Sequence, residues 1–411
     1  MRFGFKRLAV CLFATWFLSL PATAGSGDYF IYVGSYTSRG TGGIPNAPST
    51  SKGIYAWRFN PASDSITSLG LVAETINPAY ICATPDGRFL YAVNWQTETA
   101  EKSDTVSAYA INRETGALNF LNKASAGGGL PNEIVVGPRG KVAVVTNYGF
   151  HTRRPAPGTA PAANAAPVEN NSSFAALPIE ADGRLGEPFY IDHHAGDLSN
   201  PRLHGATHGA IFSKDGRFVF VTDLGLNRIY SYQFDADKPS ITPFDPPYVS
   251  VNARSGPRRL ALSPDGRFLY VNHETDSKVS VFRVDGGNLT EIQQISTLRP
   301  GFTGKNATAE IQINKNGHFL YVSNRGADDI VLFAVDPVKG MLSTIEFIPA
   351  LGQSPRNLTM GPTSGYFFAS DQDSNNVAVF KADAKTGHLT PTGQQLEVSQ
   401  PASVFFVKAA Q

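Results

Sequence analysis

Residues 264–273 read PDGRFLYVNH, a tight Asp-Gly turn followed by an apolar, β-rich run that ends on polar residues. The same pattern recurs, in full or degraded form, at 85–94, 141–147, 215–223, 316–324 and 364–371. YFIYVGSYT (29–37) matches the run without its preceding turn. The seven copies repeat at a period of about fifty residues once the insertions at 39–52 and 151–170 are set aside. Such a period is typical of repeat architectures.

Each copy is followed by a second β-rich segment, and several units close with a short G-x-L-[TN] piece, as at 116–119, 287–290 and 387–390. Alternating apolar and polar residues predict strands, and Asp-Gly before such a run predicts a tight hairpin turn. Four short strands per unit, repeated seven times, predict an all-β fold: a seven-bladed β-propeller with four-stranded antiparallel blades.

The C-terminal segment PASVFFVK (401–408) has the pattern of an innermost strand, and the strand that would follow it in its blade is 29–37. The N- and C-terminal strands are therefore predicted to share one blade and to close the ring. A solenoid of stacked sheets is the alternative, but it requires capping ends and a more uniform period. We expect residues 25–411 to form a single β-propeller domain.

The N-terminus has the features of an export signal. Arg2, Lys6 and Arg7 precede an apolar run over 8–21, and ATA at 22–24 is a small-x-small site. This order predicts a secretory signal peptide cleaved after Ala24, hence a periplasmic or secreted protein with no membrane association after cleavage. The Gly-, Pro-, Ala- and Ser-rich insertions at 39–52 and 151–170 are predicted to be flexible surface loops.

Composition excludes several classes of protein. The 35 Lys and Arg balance the 34 Asp and Glu, whereas a nucleic-acid binder should carry a concentrated basic surface. Cys11 leaves with the signal, so Cys82 has no disulfide partner.

His204 and His208 stand at H-x₃-H spacing, but along an extended strand they would lie about 13 Å apart. We predict no metal site, no cofactor and a monomer whose partner is a small molecule.

The repeat predicts where a site should form. A hairpin reverses the chain, so the start of the innermost strand and the end of the next lie at the same mouth of the central channel. The innermost strands start with Tyr80, Glu133, His208, Arg258, Arg259, Glu310 and Arg356. The next strands end with Trp95, Tyr148, Asp223, His273, Glu274, Arg325 and Asp371. This mouth is the candidate site, since function usually resides on loops held by a rigid scaffold. Structural roles remain the alternative: capping for the aspartates, packing for Tyr80 and Trp95, and a satisfied buried ring for His208.

Motifs at this mouth resemble those of the seven-bladed β-propeller lactonase family, which includes 6-phosphogluconolactonases and carboxymuconate-lactonizing enzymes. The resemblance covers roughly 28–408 and is carried by DGRFVFVTDLG (215–225), SGPRRL (255–260), YVNHET (270–275) and SNRG (323–326). It implies catalytic roles for His208, Arg258 and Glu274, and substrate binding by Arg325 and Arg356. Arg259 replaces a usual His, His273 stands at an Asn position, and Trp95 stands where a Glu is frequent. We add Tyr80, Trp95 and His273 to the predicted substrate-binding residues.

The predicted reaction is hydrolysis of a sugar lactone, an aldonolactone, by metal-independent general acid–base catalysis. A neutral His208 would remove the proton of the attacking water. Arg258 and Arg325 would stabilise the oxyanion and hold an acidic group. Glu274 would orient His208, or act as the acid if burial raised its pKa. The alternative is an exported, non-enzymatic binding or scaffold protein, because propellers serve both purposes.

Overall fold

The computed structural model describes residues 27–37, 49–95, 104–149, 171–194, 196, 204–363 and 365–410. The predicted signal peptide with its cleavage site after Ala24, most of the 39–52 insertion and the whole 151–170 insertion lie outside these ranges. Within them, no helix has the length and apolar character needed to cross a bilayer.

The described residues form seven four-stranded sheets, which are the blades. Blade 1 contains β1 (Tyr29–Ser35), β2 (Gly53–Asn60), β3 (Ser65–Glu74) and β28 (Pro401–Lys408); blade 2 contains β4 (Ile81–Ala83), β5 (Phe89–Asn94), β6 (Thr105–Ile111) and β7 (Leu118–Ser125). Blade 3 contains β8 (Pro131–Val136), β9 (Val142–Asn147), β10 (Ser173–Pro178) and β11 (Tyr190–His193); blade 4 contains β12 (Thr207–Phe212), β13 (Phe218–Asp223), β14 (Arg228–Asp235) and β15 (Ser240–Ser250). Blade 5 contains β16 (Pro257–Leu262), β17 (Phe268–His273), β18 (Lys278–Asp285) and β19 (Asn288–Ser296); blade 6 contains β20 (Ala307–Ile313), β21 (Phe319–Arg325), β22 (Asp329–Val335) and β23 (Leu342–Pro349). Blade 7 contains β24 (Pro355–Met360), β25 (Tyr366–Asp371), β26 (Asn376–Ala382) and β27 (Leu389–Glu397), with a 3₁₀ turn at Gln372–Ser374.

The termini close the ring as predicted. β28 is the innermost strand of blade 1 and pairs antiparallel with β1, from Tyr29 opposite Lys408 to Ser35 opposite Pro401. Every neighbouring pair of strands is antiparallel, and the four strands of blades 2 to 7 follow one another along the chain. The predicted seven-bladed β-propeller is confirmed.

The repeated Asp-Gly-Arg sequence forms the turn between the first two strands of a blade. In blade 5, the Asp265 carboxylate accepts hydrogen bonds from Ser263 Oγ at 2.7 Å and from the Arg267 backbone N–H at 3.0 Å, and it pairs with Arg267 Nε at 2.6 Å. Gly266 has a φ of 81°, a conformation that glycine adopts without strain. Turn geometry therefore explains the repeated Asp-Gly-Arg sequence.

Tyrosines of the second strands join some blades to the next. The hydroxyl of Tyr32 in blade 1 donates to the carbonyl of Gly116 in blade 2 at 3.0 Å, and Tyr321 in blade 6 donates to Gly387 in blade 7 at 2.7 Å. A Cβ on Gly116 would lie 2.7 Å from the Phe30 ring, so only glycine fits there. The G-x-L-[TN] piece is thus a docking point for the preceding blade.

The Asn that ends several second strands serves the same purpose at the other end of the blade. Asn147 Nδ2 donates to the carbonyl of Ala126, and Asn324 Nδ2 donates to that of Thr297, both at 2.8 Å. Each acceptor comes just after the outer strand of the preceding blade. The terminal Asn of the repeat is therefore an inter-blade contact and not part of a reactive site.

Candidate active site

β-Bulges mark the start of the innermost strands. In six blades the pairing of the innermost strand with its neighbour shifts by at least one residue at its mouth end. The residues skipped by the shifts are Asn132, His208, Arg258, Ala309 with Glu310, Arg356 and Ala402. A bulge re-aims a side chain and interrupts the sheet pattern. Three of the predicted site residues are thus directed by bulges.

Polar residues next to the ends of second strands stabilise several of these bulges. Thr222 Oγ1 accepts a hydrogen bond at 2.9 Å from the N–H of Gly209, the residue after the bulge in blade 4. The same hydroxyl donates to the carbonyl of Arg258, the bulge residue of blade 5, at 2.7 Å. Asn272 Oδ1 similarly accepts from the N–H of Arg259 at 2.8 Å. The bulges of blades 4 and 5 are therefore fixed within their own blades, and Arg258 is also fixed to blade 4.

Three predicted residues form an ion cluster between blades 5 and 6. Arg258 Nε lies 2.6 Å from Glu274 Oε2, and Arg325 Nη2 lies 3.0 Å from the same oxygen. The backbone carbonyls of Ala309 and Thr308 accept further hydrogen bonds from Arg258 and Arg325, respectively. Burial disfavours the charge of Glu274, but the two guanidinium groups outweigh it and lower its pKa to about 2.

This pairing supports neither of the two predicted roles of Glu274. With so low a pKa, its carboxyl group is ionised at neutral pH and has no proton to donate. The hydrogen bonds that involve the described residues include none between Glu274 and His208. Glu274 therefore holds Arg258 and Arg325 in place, a role that the sequence did not predict.

His208 is a buried, uncharged imidazole beside this cluster. Its pKa lies well below the usual value, first because of burial and then because of the positive charges of Arg258, Arg259 and Arg356. Tyr148 packs edge-on against the ring, with 6.1 Å between centroids. Nδ1 is buried and has no hydrogen-bond partner within the part of the chain that the structure describes. An imidazole in this state is uncharged at neutral pH, which is the form that a general base requires.

Arg356 has an uncommitted guanidinium group on the same side. It forms no ion pair or hydrogen bond with the described residues and lies 5.2 Å from the ring centroid of Tyr36. Tyr36 in turn packs edge-on against Trp95 at 5.9 Å. Tyr36 was not predicted, although it follows the second strand of blade 1 as Trp95 follows that of blade 2. Aligning 29–37 with the other repeats would have indicated it.

Two predicted substrate-binding residues contact groups outside the ion cluster of Arg258, Glu274 and Arg325. His273 is fully buried, and its Nε2 is hydrogen-bonded to Ser280 Oγ at 2.7 Å, within blade 5. The ring centroid of Tyr80 lies 4.3 Å from the guanidinium carbon of Arg259. Side chains alternate along a strand, so a shift of one residue moves a group to another environment. The structure thus turns His273 into blade 5 and places Tyr80 against Arg259.

The aspartates at the strand ends have structural partners, in line with the alternative reading of these residues. Asp223 accepts hydrogen bonds from the backbone N–H groups of Ala206 and Leu226 and is paired with the His194 ring at 2.8 Å. Asp371 is fully buried, with Asn376 Nδ2 3.5 Å from its carboxylate. Across the described ranges, no three His, Cys, Asp or Glu side chains are grouped to hold a metal ion.

The mouth therefore combines a neutral base with an excess of positive charge. Arg258 and Arg325 share the carboxylate of Glu274, whereas Arg356 has no ion-pair partner among the described residues. Preorganised cations in a site of low polarity stabilise negative charge that develops in a transition state. The arrangement suits addition of water to a carbonyl group and binding of an acid.

The sequence over residues 30–406 matches the family described as Lactonase, 7-bladed beta-propeller. The chain is 27% identical to a 6-phosphogluconolactonase of Bacillus subtilis over 382 residues, which cover 92% of this chain and 98% of the relative. It is also 27% identical to a 6-phosphogluconolactonase of Formosa agariphila, with 91% and 98% coverage.

Among solved structures, a periplasmic gluconolactonase of Pseudomonas aeruginosa superimposes with a TM-score of 0.80 and 29% sequence identity. The superposition covers 93% of this chain and 100% of that chain. Sequence and structure agree over almost the whole length, and the predicted resemblance is confirmed. The chain belongs to the seven-bladed β-propeller lactonase family and is an enzyme of the lactonase class.

Proposed function

We propose that this protein hydrolyses an unphosphorylated aldonolactone in the periplasm, as a monomer, at the mouth formed by His208, Arg258, Glu274, Arg325 and Arg356. One observation carries the proposal: a neutral, buried imidazole adjoins Arg258 and Arg325, two guanidinium groups that share the carboxylate of Glu274, with Arg356, unpaired among the described residues, nearby. Periplasmic location is supported by the N-terminal signal pattern and by the periplasmic gluconolactonase of similar structure.

The reaction uses only groups of this chain and water. His208 accepts a proton as the water oxygen bonds to the lactone carbonyl carbon. The resulting oxyanion is stabilised by Arg258 or by the uncommitted Arg356. The intermediate then collapses, the ring C–O bond breaks, and the alkoxide takes the proton from the His208 imidazolium. The product is a hydroxy acid, whose carboxylate the excess positive charge favours.

The residues of the mouth have different roles in this reaction. Glu274 fixes the directions of Arg258 and Arg325, because one carboxylate oxygen accepts from both. Arg356 is free to bind the substrate, and Trp95 with Tyr36 forms the aromatic wall beside it. Lactones hydrolyse slowly in water unaided, so modest electrostatic stabilisation suffices.

The test measures opening of glucono-δ-lactone in a pH-stat for the wild type, His208→Ala, Arg258→Ala and Arg356→Met. We expect kcat to fall by about 10²- to 10⁴-fold without the base and by about 10²- to 10³-fold without Arg258. Arg356→Met should mainly raise KM. His318→Ala, which removes an exposed histidine from a turn, is the matched control.

Equal rates for the wild type, His208→Ala and Arg258→Ala would refute the catalytic assignment. Binding of gluconate by the wild type without turnover of the lactone would instead favour the non-enzymatic alternative. Treatment with EDTA should leave the rate unchanged, and a loss of activity that added divalent ions restore would refute the metal-independent mechanism.

A further inference from the structure

A buried polar cluster crosses the channel one residue below the mouth. Arg259 of blade 5 pairs with the carboxylate of Glu133 in blade 3, and its Nε lies 3.9 Å from Glu310 Oε2 in blade 6. Its Nη2 donates to the carbonyl of Asn132 at 3.2 Å, and the Tyr80 ring of blade 2 lies 4.3 Å from the guanidinium. One side chain thus contacts three other blades.

The two glutamates extend these contacts to the remaining blades. Glu133 Oε2 accepts a hydrogen bond at 2.8 Å from the backbone N–H of Ala210 in blade 4. Glu310 Oε2 accepts from Asn357 Nδ2 in blade 7 at 2.9 Å, and Asn357 Oδ1 accepts from the N–H of Val404 in blade 1 at 3.0 Å. All seven innermost strands, or the residue just before one, are therefore joined through Arg259.

Apart from the Tyr80 contact in blade 2, the contacts of this cluster fall within two residues of a bulge. Arg259 follows Arg258, Glu133 follows Asn132, and Ala210 is two residues beyond His208. Because the backbone of a bulge sets the direction of its side chain, a group that fixes the next residue also fixes the bulge. The cluster is thus connected to the residues that form the mouth.

We propose that Arg259 is a positioning residue of the mouth: its ion pairs with Glu133 and Glu310 hold the bulges of facing blades at a fixed separation, so that His208 and Arg258 are directed at the same lactone carbonyl group and its attacking water. The activity part of this proposal rests on the proposed function. No contact between Arg259 and the substrate is required.

The burial of the cluster supports a role in geometry. Arg259, Glu133 and Glu310 are each about 95% buried, and removing three charges from water costs more than filling the same space with apolar side chains. Arginine offers donors in a planar fork that can reach partners on two sides at once, which lysine cannot. The stability of the fold does not by itself explain a buried ion cluster, whereas the need for a fixed distance between facing blades does.

The charge of Arg259 also faces His208. The charged and titratable groups around the imidazole are Arg258 and Arg259 on β16, Arg356 on β24, Tyr148 after β9 and Glu133 on β8. Arg259 is among the cations that lower the pKa of His208, after burial and Arg258. Loss of its charge should therefore raise the pKa of His208, and this provides a readout that needs no substrate.

The experiment compares Arg259→Met, Arg259→Lys and Glu310→Gln with Arg267→Met, which removes an arginine from the same blade at the opposite end. Lactone kinetics give kcat and KM, NMR titration of labelled histidine gives the pKa of His208, and thermal melting reports folding. In Arg259→Met we expect kcat to fall by about 10- to 100-fold with KM changed by less than about threefold, and the pKa of His208 to rise.

Arg259→Lys separates positioning from charge. Lysine keeps the charge but not the fork, so we expect the pKa of His208 to stay close to that of the wild type while kcat remains reduced by about 10-fold or more. Full recovery of kcat in Arg259→Lys would overturn the proposal, because a point charge would then suffice. A wild-type kcat in Arg259→Met would overturn it as well.

Glu310→Gln keeps the acceptor for Asn357 and removes one partner of the ion cluster, so it decides the matter if Arg259→Met does not fold. We expect a fall in kcat of about 3- to 10-fold in a folded protein, and an unchanged kcat would overturn the proposal. If the wild type opened no lactone, the proposed function would fail separately. The histidine titration and the crystal structure of Arg259→Lys would then still test whether the His208 bulge moves, and an unmoved bulge would overturn the proposal.

Discussion

His208 and Asp371 are buried ionisable residues of the same fold whose pKa values are shifted in opposite senses. Burial and three arginines lower the pKa of His208 well below its usual value. Burial and the charge of Asp328 raise the pKa of Asp371 to about 8. Burial disfavours the charged form in both cases, so the imidazole loses its proton while the carboxyl group keeps its own. Each shift predicts a distinct pH dependence.

The shift of His208 predicts the acid limb of the pH–rate profile. The base works only when deprotonated, so activity falls when the pH drops through its pKa. An unperturbed imidazole would be half protonated near about pH 6.5. We expect kcat/KM for the lactone to stay constant from neutral pH to below that value and to decline only at lower pH. A pH-stat series with correction for spontaneous hydrolysis measures it, and a midpoint at or above pH 6.5 would contradict the assignment.

Asp371 occupies the strand-end position that is Asn147 in blade 3 and Asn324 in blade 6. Because its folded pKa lies above the unfolded value, the folded state binds the proton more tightly, and stability falls as the pH rises from about 3.8 to 8. Asp371→Asn should remove this loss and raise the free energy of unfolding by about 1 to 3 kcal/mol at pH 8, and by less near pH 4.5. Urea unfolding at both pH values tests it.

The reverse substitution is the matched control for Asp371. Asn147→Asp places a carboxyl group where Asn147 Nδ2 donates to the Ala126 carbonyl, so stability should fall most at high pH. An equal gain for Asp371→Asn at pH 4.5 and pH 8 would show that the effect is not one of titration.

At the scale of the element, each blade has a turn end and a mouth end with separate duties. The turn end carries Asp-Gly-Arg, whose carboxylate accepts three hydrogen bonds in blade 5. The mouth end carries the bulges and the polar residues that hold them, such as Thr222 and Asn272. Stability and activity should therefore be affected independently by substitutions at the two ends.

Asp265→Ala tests this separation. The substitution removes the acceptor of the turn and should lower the free energy of unfolding by about 1 to 2 kcal/mol, while kcat/KM stays unchanged because the turn lies at the far end of the strand. Chemical denaturation and lactone kinetics measure the two effects. Asp237→Ala, which removes an exposed carboxylate paired with Arg139, should cost less than about 1 kcal/mol. A fall in kcat/KM for Asp265→Ala would contradict the separation.

At the scale of the whole molecule, the ring is closed by the pairing and packing of β28. β28 is the innermost strand of blade 1, it also contacts β24 and β4 in the neighbouring blades, and its Val404 and Val407 are buried. Without β28, blade 1 would lack its inner strand, and blades 7 and 2 would expose apolar surface.

Deletion of residues 401–411 should therefore abolish the cooperative unfolding transition, since the loss is comparable to the whole stability of a typical domain, about 5 to 15 kcal/mol. Thermal melting followed by circular dichroism measures it, with deletion of Gln411 alone as the control. A sharp melt in the variant that lacks 401–411 would contradict the role of ring closure.

The residue pattern of the sequence was sufficient for the architecture, because strands, turns and repeats are local. The apolar run of the second strand, the Asp-Gly turn and the closing glycine each depend on interactions within a blade or with the next blade. The fold follows from the seven copies of the repeat. The ion partners Arg258 and Glu274 come from the two ends of one hairpin, so their proximity also followed from the repeat.

Only the tertiary structure decided which of two adjacent residues serves the mouth. Arg258 reaches Glu274 while Arg259 pairs beneath it with Glu133, and Glu274 joins the cluster while His273 turns into the blade. A bulge changes the alternation of a strand by one residue, and nothing local to the sequence marks it. The lowered pKa of His208 was equally hidden, because it depends on burial and on the charges of residues about 50 to 150 positions away that the ring brings together.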